Sequence, residues 1–128
     1  MDNSNRYGRP APTRRPRNDF HGLTGHVTCS YAELVACFGQ PTYVAKAREQ
    51  VKTAISWSLV DRTTGNTFTV YEYKQTTRYS DHPSALSLAA LRRLPEFEWN
   101  IASGRFDLDT LQRWMSEKLG RPVKLQTA

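Results

Sequence analysis

The sequence predicts an α+β domain: a single antiparallel sheet packed by two or three helices, preceded by a disordered basic N-terminal arm. Three observations carry this expectation. Stretches that alternate every second residue (53–61, 67–74, 96–101) are interleaved with stretches of helical period (31–38, 108–119). The turn-forming RTTGN at 62–66 separates the first two alternating stretches so briefly that they read as a hairpin. The first 19 residues are poor in apolar side chains and hold three prolines and five arginines, which favours an extended, unpacked chain.

Ordered structure is expected from about residue 20. GHVTC (25–29) reads as a short strand with Val27 and Cys29 inward. SYAELVACFGQP (30–41) is the clearest local signal: Ser30 and Glu33 form a capping box. Tyr31, Leu34, Val35 and Phe38 make one apolar stripe. Gly39 then supplies a left-handed residue and Pro41 blocks continuation. Residues 42–52 have a mixed pattern that selects neither helix nor strand. In 53–61, Ile55, Trp57 and Leu59 share a face. In 67–74, Phe68 and Val70 do, which sends Tyr71 and Tyr73 to the opposite face. Residues 75–95 hold a polar loop and then a helix capped by Asp81 or Ser84, ended by Pro95. EFEWNI (96–101) is a further strand with Phe97, Trp99 and Ile101 inward. Asp107 caps a last helix over 108–119, whose stripe is Leu108, Leu111, Met115 and Leu119, and Gly120 and Pro122 stop it. The domain therefore spans about 20–120, between an arm (1–19) and a C-terminal tail (121–128).

The 128 residues allow one domain. Of the net charge of +6, half lies in the arm, where Arg6, Arg9, Arg14, Arg15 and Arg17 face only Asp2 and Asp19. No stretch is apolar enough to span a bilayer, and no export signal opens the chain. An intracellular, reducing setting follows, with Cys29 and Cys37 as thiols.

Four pieces together, FGQP (38–41), KTAISW (52–57), TVYEYK (69–74) and EWNIASG (98–104), resemble a group of small uncharacterised proteins of phages and large DNA viruses. In that group a Trp-His-Ile-Gly-Gly stretch is expected at the last position. Here Asn100 stands where the His would be and Ala102 where the first Gly would be, so no role resting on that His carries over. The resemblance implies a virus-encoded accessory protein and implies no reaction.

The residues themselves point away from catalysis. His26 and Cys29 are three apart, on opposite faces of a strand, and cannot form a nucleophile–base pair. Glycine-rich phosphate loops are absent. Glu72, Glu96, Glu98 and Asp107 are candidate carboxylates by elimination only. His21, His26, Cys29 and Cys37 are zinc-type ligands, but their spacing matches no common site, and neither a metal nor a cofactor is expected. Macromolecule binding remains. Tyr71, Tyr73 and Lys74 offer stacking and charge on the sheet face, and Arg6, Arg9, Arg14, Arg15 and Arg17 offer forked contacts to anions. Supporting cations are Lys46, Arg48, Lys52, Arg78, Arg92 and Arg93. The expected partner is a host or viral protein, met by the sheet face or edge, with the basic arm adding electrostatic contacts. The alternatives are nucleic acid tracked by the arm, or neighbouring subunits in a virion.

Overall fold

The computed structural model describes residues 5–10, 22–47 and 49–128. It is an α+β fold built on one antiparallel sheet. In chain order the elements are β1 (Tyr7–Gly8), β2 (Leu23–Cys29), α1 (Tyr31–Phe38), β3 (Tyr43–Val44) and β4 (Ile55–Asp61), then β5 (Thr67–Tyr71), α2 (Leu88–Arg93), β6 (Phe97–Ser103), α3 (Leu108–Leu119) and β7 (Lys124–Thr127). The strands lie in the order β1-β4-β5-β6-β2-β7, and β3 shares the outer edge of β4 with β1. The hairpin falls where RTTGN predicts it, with Gly65 at φ 79°.

Alternation, strict in β4 and β5 and broken at the end of β6, gives the sheet two unlike faces. Ile55, Trp57 and Leu59 of β4 are buried, as are Phe68 and Val70 of β5, Phe97, Trp99 and Ile101 of β6, and Val27 and Cys29 of β2. Leu34 and Phe38 of α1, Leu88 and Leu91 of α2, and Leu111, Trp114 and Met115 of α3 join the same cluster, so the helices cover one face. Aromatic edges hold this core together: Trp57 meets Trp99 at 5.4 Å and Phe38 stacks on Trp114 at 5.8 Å. The fully buried Trp57 and Trp99 indoles keep a partner, Trp57 Nε1 donating to the Gly39 carbonyl (2.9 Å) and Trp99 Nε1 to that of Cys29 (3.0 Å). A buried indole N–H needs such an acceptor.

The helix ends follow local chemistry. The Ser30–Glu33 capping box is formed in both directions. Asp107 caps α3 and Gly120 ends it in the left-handed conformation. Gly39 takes φ 84° with ψ −166°, a positive-φ geometry different from the left-handed cap expected of it. α2 is shorter than the sequence suggests and is capped by Ser87, not by Asp81 or Ser84. The preceding loop is closed instead by Thr76, which is buried and bridges to Leu86.

Two expectations fail at the chain ends. Residues 5–10 do not stand apart from the body. Tyr7 and Gly8 pair with Asp61 and Val60, and the Tyr7 ring is buried against Phe68 (5.7 Å), Phe106 (6.1 Å) and Trp114 (5.0 Å). The remainder of the expected arm, residues 1–4 and 11–19, lies outside the described residues. At the other end, 121–128 is not a tail. β7 pairs with β2 in register from Thr28↔Lys124 to Gly25↔Thr127, and Val123 is buried. Gly25 permits the approach: a Cβ there would lie 2.5 Å from the Gln126 carbonyl oxygen.

Arg121 fastens this C-terminal strand to α1. Its Nε donates to Glu33 Oε2 (2.5 Å) and its Nη2 to Oε1 (2.6 Å). The Arg121 guanidinium, with help from Ser30, holds the Glu33 carboxyl down to about 2. A carboxyl depressed on folding stabilises the native state above its unfolded value, near 4.3, and that contribution fades as pH falls toward the folded value. Arg121→Ala is therefore expected to return the Glu33 titration, followed by NMR, to the ordinary carboxylate range. It should also flatten the loss of stability between roughly pH 4.3 and 2.

Candidate functional site

Among the described residues, no helix or strand covers the second face of the sheet. The register places Tyr43, Ser56, Tyr71, Asn100, His26 and Gln126 in one row across six strands. In β2, β4, β5 and β6 the row residue lies between buried neighbours, so the central part of the row is a direct product of the two-residue period. It is almost entirely neutral and hydrogen-bonding. His26 Nδ1 lies 3.0 Å from Asn100 Oδ1, and Glu98 Oε1 lies 3.6 Å from the same nitrogen. Tyr43 donates to Glu49 Oε2 (3.0 Å). Asn100, paired with Tyr71 on one side and His26 on the other, thus sits near the middle of the row.

The row meets a second feature where β5 ends. The Tyr71 ring contacts the Tyr73 ring edge-on at 6.3 Å. Burial, and then the neighbouring Tyr73, raise the Tyr71 hydroxyl above its ordinary value. Past Tyr73 the chain turns through Lys74, which holds φ 62° and is the one non-glycine residue with positive φ among those described. Its amide donates to the Lys52 carbonyl (2.6 Å). This backbone carries the ammonium to 5.2 Å from the Tyr73 ring centre and 5.3 Å from that of Tyr79, within cation–π range. Both rings remain open to solvent, Tyr73 at 41% and Tyr79 at 44%. Beside Tyr79 lies a depression of about 440 Å³ lined by Gln50, Thr77, Arg78, Tyr79, Ser80 and Asp81. Arg78 lines it, and its Nε is buried with no hydrogen-bond partner among the described residues.

The expected site residues therefore divide. Tyr71, Tyr73 and Lys74 come together at one end of the uncovered face. Arg6 and Arg9 do not join them and have structural work. Arg6 forks onto Asp61 through Nε (2.9 Å) and Nη2 (3.0 Å), and Arg9 Nη2 donates to the Gln40 carbonyl (2.9 Å). Burial alone would raise the Asp61 carboxyl, but Arg6 and the Thr63 amide outweigh it and hold it below its ordinary value. Arg14, Arg15 and Arg17 lie outside the described residues, as do Arg48 and His21.

Groups that chemistry would need are placed elsewhere. Cys29 and Cys37 are buried thiols on the helix side of the sheet, pushed by burial up to about 12 and about 11, whereas His26 faces the other way. Among the described residues no three His, Cys, Asp or Glu side chains converge as metal ligands would. None of the helices described is long and apolar enough to cross a membrane. Of the candidate carboxylates Glu72, Glu96, Glu98 and Asp107, Glu72 alone is buried, at 1% exposure, and it accepts from the amides of Ala54 and Gln75. Burial raises its carboxyl and the two amides offset this only in part. It closes the sheet at the end of β5, where it ties the entry of β4 to the loop. Sequence reasoning missed Tyr79, an aromatic in a patternless polar loop, and the Asn100–His26 pair, which only the register reveals. No protein-family model matches the chain, and no curated protein matches it.

Proposed function

We propose that this chain is a non-enzymatic, virus-type accessory protein that captures a host or viral protein on its uncovered sheet face. The observation that carries this reading is the row from Tyr43 to Gln126, neutral and rich in hydrogen-bonding groups, on a sheet whose helices all pack on the other side. A folded polypeptide offers the complementary donors and acceptors, and tyrosines supply rigid contact area at low entropic cost. The burial of both thiols away from His26 supports binding over nucleophilic catalysis.

The test compares partners retained from infected-cell extracts by the immobilised chain and by face variants. Tyr71→Ala and Asn100→Lys are expected to lose the retained protein, while Glu117→Lys, on the exposed side of α3, keeps it. Equal retention by all three would place the contact somewhere other than the sheet face.

A further inference from the structure

We infer that the tyrosine–lysine cluster at the end of β5 is a separate binding site for single-stranded nucleic acid. The inference goes beyond protein capture on the sheet face and rests on different residues: Tyr73, Lys74, Arg78 and Tyr79.

Four observations converge there. Lys74 is held at φ 62°, a backbone conformation unfavourable for a non-glycine residue, and such residues cluster at ligand sites. That conformation places one ammonium against two solvent-exposed phenol rings. Arg78, five-donor and always charged, has a buried Nε without a partner among the described residues. The adjoining depression, at about 440 Å³, falls in the size range of small-ligand pockets.

The chemistry narrows the ligand. Lys74 sits against the two rings and Arg78 lines the depression beside Tyr79, and Asp81 is the one acid in the depression. A cationic ligand meets repulsion. A bare phosphate satisfies the cations and leaves two exposed rings without a role. A duplex presents phosphates but keeps its bases paired. A single strand supplies both requirements in every repeat unit, an anion for Lys74 and Arg78 and a flat base for Tyr73 and Tyr79. Asp81 and Ser80 can then meet base amino and ring groups in the depression. The phosphate draws the Lys74 ammonium off the rings and frees the faces it now occupies.

Fluorescence anisotropy with a labelled fifteen-nucleotide oligothymidine, its oligouridine counterpart and a duplex of equal length tests this, at two salt concentrations. The full chain is expected to bind a single strand more tightly than the duplex. Tyr73→Ala and Tyr79→Ala should each weaken binding about tenfold. Lys74→Gln should reduce the salt slope by about 0.7, the value for one phosphate contact on a single strand. Melting curves confirm that the variants fold, and Tyr79→Phe, which keeps the ring, should bind as the parent does. Undetectable oligonucleotide binding, duplex binding at least as tight as single-strand binding, or unaltered affinity in both alanine variants would overturn the inference. Any of these results leaves protein capture through Tyr71 and Asn100 standing, because those variants are read with a protein partner.

Discussion

Tyr7→Ala is expected to lower the unfolding free energy by about 3 kcal/mol, and the melting temperature by about 10 °C. The ring sits at 3% exposure among Phe68, Phe106 and Trp114, so truncation removes a buried aromatic and opens a cavity that three aromatics line. Burial also raises the phenol to about 12. Tyr7→Phe keeps the packing and should retain most of the stability, which separates the ring from the hydroxyl. Thermal and urea unfolding measure both variants. The prediction bears on experimental design. Removing the first 19 residues also removes β1 and the Arg6–Asp61 fork, so a truncation that abolishes binding does not report on the arginines. Substituting Arg14, Arg15 and Arg17 with Gln leaves β1 in place and does.

The second large effect is at Glu72. Glu72→Ala leaves the buried Ala54 amide without an acceptor and empties a site inside the core. The expected loss is about 2–3 kcal/mol. The pH dependence has a definite sign. Burial raises the Glu72 carboxyl in the folded state, so its contribution is fully present below the unfolded value, near 4.3, and is lost as pH rises through the folded value. Glu72→Gln cannot ionise. Its stability relative to the parent should therefore improve as pH rises above roughly 4.3, and denaturant melts across that window measure the crossing trend. This trend runs opposite to that of Glu33, whose carboxyl is held down by Arg121. The two variants can be told apart by direction alone.

The parts of the fold that sequence reveals are those whose information is local. α1 carries its capping box and stripe within nine residues, and α3 carries its cap, stripe and terminal glycine within fourteen. β4 and β5 declare themselves by alternation and by the turn between them. β1 has two residues and β7 four, too few for a period to register. Their pairing is set by partners at positions 60–61 and 25–28, and tertiary context outweighs local preference there. Arginine and proline around Tyr7 suggest an unpacked leader, yet one aromatic in such a stretch is enough to anchor it once a hydrophobic slot exists. The site divides in the same way. Tyr71 follows from strand parity. Tyr79, the Arg78 cleft and the positive φ of Lys74 belong to a loop shaped by the Thr76–Leu86 bridge, which no local pattern encodes. Glu72 looks like an ordinary polar residue at a strand end until the Ala54 amide is placed beside it.

The central claim is that recognition belongs to the folded sheet surface and not to the basic leader. The most direct test measures the affinity of the captured protein partner for two variants of matched thermal stability: Tyr71→Ala/Asn100→Lys, and Arg14→Gln/Arg15→Gln/Arg17→Gln. A loss of tenfold or more in the first, with the second within about twofold of the parent, is the result predicted. A large loss in the arginine variant with none in the sheet variant would contradict it.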